Sequence, residues 1–150
     1  MSISSIKENI KPYAMHVIFL ISFLGVVGSL YMSEIEEFVP CPFCWWARIW
    51  MYPIVVVSVI SILTADKFGK WYVAALAGIG ILFSAYHNLL QLGVFSESES
   101  CVVGGTSCAT PTIFTTIAGR EISLELLGLL GFIAINVVVL SLIWVEKRNK

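Results

Sequence analysis

Charged residues divide this chain into long uncharged stretches: positions 12–33, 49–65, 71–96 and 126–145 contain no Lys, Arg, Asp or Glu. Within them the apolar residues run on without the polar face of an amphipathic surface helix, the pattern of a helix surrounded by apolar material on all sides. A bilayer core of about 30 Å is crossed by about 20 helical residues. The pattern therefore predicts transmembrane helices near 14–32, 45–63, 71–90 and 124–144, joined by outer loops at about 33–44 and 91–123. The expected fold is all-α, an integral membrane four-helix bundle forming a single membrane domain over 1–150. The first stretch has Lys7 and Lys11 ahead of it, as a signal peptide would. It is too long for one, however, and ends in Tyr31-Met32-Ser33-Glu34 with no small-residue cleavage site, so it is read as a helix.

Composition agrees. Hydrophobic residues make up 58% of the chain and charged residues 13%, against roughly 45–50% and 25% in soluble domains. A mean hydropathy of +0.90 excludes a soluble enzyme. The net charge of -1 offers no basic footprint for nucleic acid. Basic residues are retained on the cytoplasmic side of a membrane, and their placement here is lopsided. Lys7, Lys11, Lys67, Lys70, Lys147, Arg148 and Lys150 flank one side, whereas the opposite loops hold only Arg120. Both termini are expected in the cytoplasm.

That orientation puts all four cysteines on the outer side. Cys41 and Cys44 form C-P-F-C where the first outer loop meets the second helix, and Cys101 and Cys108 lie in the second outer loop. The outside of a bacterial membrane is an oxidising compartment in which disulfides persist. Two structural disulfides stapling the loops are the bland reading. A zinc site of all four cysteines fits less well, because C-V-V-G-G-T-S-C has six intervening residues where zinc pairs have about two to four. Redox chemistry is favoured by the first pair. A C-x-x-C ring is small and strained, and Cys44 at a helix start lies where unpaired N–H groups stabilise a thiolate.

Arg48 follows Cys44 by one helical turn, on the same face and just inside the apolar region. An ionisable residue at that depth is a functional candidate, with snorkelling to the interface as the alternative. Oxidising a dithiol needs a two-electron acceptor, and the acceptor dissolved in a bacterial membrane is a quinone, menaquinone or ubiquinone. The chain has no G-x-G-x-x-G nucleotide motif and no C-x-x-C-H haem attachment. His16 and His87 are placed near opposite ends of the bundle, so no metal centre is expected from them. His87 and Gln91, one turn apart, share the depth of Cys44 and Arg48 and could make either interhelical hydrogen bonds or a quinone-carbonyl contact.

Taken together, C-P-F-C-W-W-A-R opening the second helix, S-A-Y-H-N-L-L-Q ending the third, the outer cysteine pair and I-S-L-E-L-L-G-L-L-G-F opening the fourth resemble the disulfide-bond-formation protein B (DsbB) family. The close spacing of Cys101 and Cys108 is most similar to its short Gram-positive members, disulfide bond formation protein C (BdbC). The resemblance implies a multi-pass protein of the bacterial cell membrane whose active site faces outward. It implies that a thioredoxin-fold thiol oxidase attacks Cys101 of a Cys101–Cys108 disulfide, and that electrons then pass inward as Cys108, or its loop dithiol, attacks Cys41 of a Cys41–Cys44 disulfide. Cys44 would leave as a thiolate and form a charge-transfer complex or adduct with the quinone, with Arg48 stabilising the negative charge and His87 and Gln91 nearby. Two other readings remain. A vitamin K epoxide reductase-like quinone reductase carries its loop pair ahead of the C-x-x-C, the reverse of the order here. A non-enzymatic membrane protein with structural disulfides would resist rapid reduction by a dithiol partner.

Overall fold

The structure is a computed structural model in which residues 13–37, 39–94, 102–103, 106–111, 113–117 and 120–148 are described. Four long helices dominate: α1 Ala14–Glu34, α2 Pro42–Thr64, α3 Gly69–Gln91 and α4 Leu124–Arg148. Each is long and apolar enough to cross a membrane. They form the expected bundle, and each predicted span falls within one observed helix, which extends beyond it at one or both ends.

The core is narrow and the outside is greasy. Ile18, Ile54, Val73, Ala77, Phe132, Ile135 and Val139 are fully buried along the bundle axis, while Leu63, Leu82, Val137 and many other large apolar side chains face outward. In water such a surface would be a severe aggregation liability; against lipid it costs nothing. Close helix contact depends on one glycine in particular. A Cβ at Gly80 of α3 would run into the ring of Phe132 on α4, so the aromatic ring seats against bare backbone.

The end of the bundle away from the cysteines is tied by polar contacts. Ala65 ends α2 in the left-handed conformation at φ 52°. Asp66 then accepts from the backbone N–H groups of Phe68 at 3.1 Å and Gly69 at 2.8 Å, filling the orphan donors of α3. Lys70 at the start of α3 pairs with Glu146 near the end of α4.

The loop between α3 and α4 contains strands that the sequence pattern does not predict. β1 Val102–Val103 pairs with β2 Thr106–Ser107, and β3 Ile113–Ile117 pairs with β4 Arg120–Ser123, both antiparallel. The second hairpin carries an irregularity between Ile113 and Thr115 and leads directly into α4.

Candidate active site

The site begins with the way α2 starts. Pro42 occupies the first helical turn, where its fixed φ suits a helix and its missing N–H is no loss. Cys41 therefore becomes the N-cap, in extended conformation, and its sulfur accepts from the backbone N–H of Cys44 at 3.4 Å. This fold of the backbone brings the two sulfurs to 3.0 Å. A bond between them requires about an ångström of further approach.

Cys41 is buried and Cys44 half-buried. The Cys41 thiol is pushed up to about 12, first by its hydrogen bond with Cys44 and then by burial, while contact with His87 acts in the opposite direction. Of the two sulfurs, Cys41 thus holds its proton tightly. Cys44, in the first turn, faces the partial positive charge of the helix start.

Arg48 is one turn further in and only 6% exposed. Its Nε donates to Ser29 Oγ and its Nη2 to the Ser29 backbone oxygen, each at 2.8 Å. The guanidinium also lies 5.3 Å from the ring centroid of Trp45. A side chain clamped to α1 in this way is not reaching for the interface.

His87 of α3 is buried beside the pair, its Nε2 3.6 Å from Cys41 Sγ and 3.2 Å from the backbone oxygen of Cys108. Phe43 stacks on its ring at 5.4 Å. Cys108 is fully buried and packs with Cys41 and Leu90, so the α3–α4 loop delivers this cysteine onto the C-x-x-C. Gln91 approaches His87 at 3.5 Å but is not among the residues lining the adjacent cavity. Cys101 lies outside the described residues. His16, in the first turn of α1, is remote from this cluster, as expected. Although Cys41, Cys44 and His87 place their ligand atoms within 4.8 Å of one another, the sulfur–sulfur contact gives the trio an evident redox use.

A cavity of about 590 Å³ opens from the C-x-x-C into the bundle. Cys41, Cys44, Arg48, Ser84, His87 and Glu125 supply its polar lining, and Met51, Gly128 and Phe132 are among its apolar walls. Leu24, Val27 and Tyr31 of α1 and Leu127 of α4 line it and are also exposed on the outside of the bundle. The cavity is thus bordered by α1 and α4 side chains that carry exposed apolar surface.

The sequence reading missed three polar residues here. Ser29 clamps Arg48, and nothing in the sequence distinguishes it from other serines in membrane helices. Ser84 is 5% exposed, and its hydroxyl has no hydrogen-bond partner among the described residues. Glu125 is a buried carboxyl in the first turn of α4, and its signal was legible as an acid opening a membrane helix with no other charge before Glu146.

Four membrane helices carrying a C-x-x-C against a third buried cysteine define a membrane thiol–disulfide oxidoreductase. The chain matches the family model "Disulfide bond formation protein DsbB" over residues 11–145 and belongs to that family. It is 33% identical over 140 residues to a probable disulfide formation protein of Deinococcus radiodurans, covering 89% of each chain. It is 41% identical over 93 residues to an SPbeta prophage-derived disulfide bond formation protein B of Bacillus subtilis, 62% of each chain. Disulfide bond formation protein C of the same organism is 41% identical over 86 residues, 57% of this chain and 62% of the relative. No solved structure matches significantly.

Proposed function

We propose that the protein reoxidises an extracytoplasmic thioredoxin-fold thiol oxidase and passes the electrons to a membrane quinone, menaquinone or ubiquinone. The observation that carries this reading is the cavity: it is lined by Cys44 and Arg48 together with exposed apolar residues of α1 and α4, the kind of surface that would meet lipid, where such an acceptor dissolves. Its residues suit the acceptor. Apolar walls accommodate a ring and the start of an isoprenoid tail, Arg48 provides positive charge, and the orphan hydroxyl of Ser84 can donate to a carbonyl. The quinone, when bound, supplies the two-electron sink.

The chain's own residues carry the exchange. The partner's thiolate attacks Cys101, and the Cys101–Cys108 disulfide passes its oxidation state inward. Val102 and Ser107, the neighbours of these cysteines, are register partners, which favours their pairing. The burial of Cys108 against Cys41 favours exchange between the pairs. His87, held between Cys41 Sγ and the Cys108 carbonyl, positions both. Attack on Cys41 releases Cys44, the better leaving group because the helix start stabilises its thiolate. Arg48 balances that charge from one turn below.

The assay is quinone reduction by a reduced thioredoxin-fold oxidase. Cys108→Ala should leave a free Cys101 thiol that traps the partner as a mixed disulfide only when the partner is in its oxidised, disulfide form. Cys41→Ala or Cys44→Ala should abolish quinone reduction while leaving partner exchange at the loop. Equal, partial loss from all four single variants, with exchange intact, would mean structural bridges instead.

A further inference from the structure

Glu125 belongs to a motif that the exchange of electrons leaves unused. It is 9% exposed, in a membrane helix, and lines the cavity that Cys44 and Arg48 also line. Its backbone oxygen accepts from Asn88 Nδ2 at 3.3 Å, which fixes the first turn of α4 against α3. A buried charge in an apolar cavity is costly unless balanced. Besides Glu125, the titratable groups along the walls are Tyr31 from α1, Cys41, Cys44, Arg48 and Tyr52 from α2, and His87 from α3. Among them Arg48 is the permanent cation.

We propose that Glu125 is the proton store of the redox site, a role that rests on the quinone reading above. With Cys41 and Cys44 joined, Glu125 is a carboxylate and balances Arg48. On reduction, Cys41 carries a proton, Cys44 is a thiolate, and Glu125 takes the second proton. The cavity then again holds one negative and one positive charge. The reaction balances: Cys41–SH, Cys44–S⁻, Glu125–COOH and quinone give the Cys41–Cys44 disulfide, Glu125–COO⁻ and hydroquinone. Two electrons leave the sulfurs, and both protons of the hydroquinone come from the chain, one from Cys41 and one from Glu125. The incoming dithiol then restores both protons when it reduces the Cys41–Cys44 bond. No proton need be drawn from the cytoplasmic side.

The decisive measurement is made without quinone, on the detergent-solubilised chain with Cys101 and Cys108 replaced by Ser. The reduction potential of the Cys41–Cys44 couple should follow pH with two protons taken up per two electrons, and Glu125→Gln should take up one. Glu125→Asp should restore two. The infrared difference between reduced and oxidised protein should show a carboxylic-acid carbonyl band that Glu125→Gln removes. In the full chain, Glu125→Gln should turn over quinone about 100-fold more slowly, the scale of a lost general acid, and its remaining rate should rise as pH falls. An unchanged two-proton count in Glu125→Gln, or no carboxyl signal in the parent, overturns the assignment and leaves a first-turn acid that only complements the helix dipole. A two-proton count in a chain that never reduces quinone overturns the quinone reading instead and leaves the proton store standing.

Discussion

Arg48 joins two functions at the scale of the single residue. Its Nε and Nη2 are committed to Ser29, so α1 sets the direction of the guanidinium, while the rest of the group lines the cavity. Arg48→Met suits a membrane helix and should fold. It removes a charged interaction of about 1.5–3 kcal/mol, and the quinone concentration needed for half-maximal reduction should rise about tenfold or more. Arg48→Lys keeps the charge without the planar fork and should fall between. A wild-type concentration dependence in Arg48→Met would move the acceptor site elsewhere. The cysteine pair makes a second prediction. With the Cys41 thiol pushed up to about 12, only about one part in 10,000 is thiolate at pH 8. In reduced protein, iodoacetamide should label Cys44 well before Cys41, and the Cys41 rate should climb about tenfold per pH unit between pH 8 and 10 without a plateau. Peptide mass spectrometry reads both, and faster labelling of Cys41 would reverse the assignment of leaving group. Cys41, Cys44 and Arg48 were legible in the sequence because their chemistry depends on spacing along one helix. Ser29 and Ser84 were not, because a serine in a membrane helix acquires meaning only from the helix packed against it.

The helices themselves were read from absent charge, which the bilayer enforces over about 20 residues. Their ends follow local chemistry, and there the reading was less sharp. It began the second helix at 45, whereas Pro42 at the first turn and Cys41 as cap draw the C-x-x-C into the helix. Proline just inside a helix start marks that boundary independently of the apolar run. The hairpins were missed for a related reason. Gly104-Gly105 and Ala118-Gly119 separate the paired strands, but β1 and β2 are too short to show alternation, and neither I-F-T-T-I of β3 nor R-E-I-S of β4 alternates apolar with polar residues. Helix contact offers a prediction of its own. Gly80→Ala puts a methyl group into the Phe132 ring, and overpacking of this kind costs about 1–3 kcal/mol. The thermal midpoint in detergent should fall. In a Phe132→Ala background, where the obstructing ring is gone, the same change should cost far less. Equal penalties in both backgrounds would show that the α3–α4 contact is not what excludes a side chain at position 80.

At the scale of the whole molecule the two ends of the bundle differ in kind. One end carries the turn between α2 and α3, with Asp66 capping and the Lys70–Glu146 pair. The other gathers Cys41, Cys44, His87 and Cys108 in a buried cluster. Among the described residues Lys67, Lys70, Lys147 and Arg148 lie at the first end, Lys7, Lys11 and Lys150 flank the same helix ends in the sequence, and of the basic residues the loops at the cysteine end hold only Arg120. Since basic flanks stay in the cytoplasm, the cysteine end should face outward. This orientation also decides the direction of the chemistry: outside, disulfides persist and an acceptor in the membrane can keep them formed, whereas cytoplasmic thiols would hold the same cysteines reduced. The measurement is labelling of intact cells with a membrane-impermeant thiol reagent, using single cysteines introduced as Glu37→Cys, Thr106→Cys or Lys67→Cys in a chain whose four native cysteines are Ala. The first two should react from outside, and the third only after the membrane is opened. Labelling of Lys67→Cys in sealed cells would turn the redox end inward. A thiol oxidase could not then be served there, even though every contact within the bundle would be unchanged.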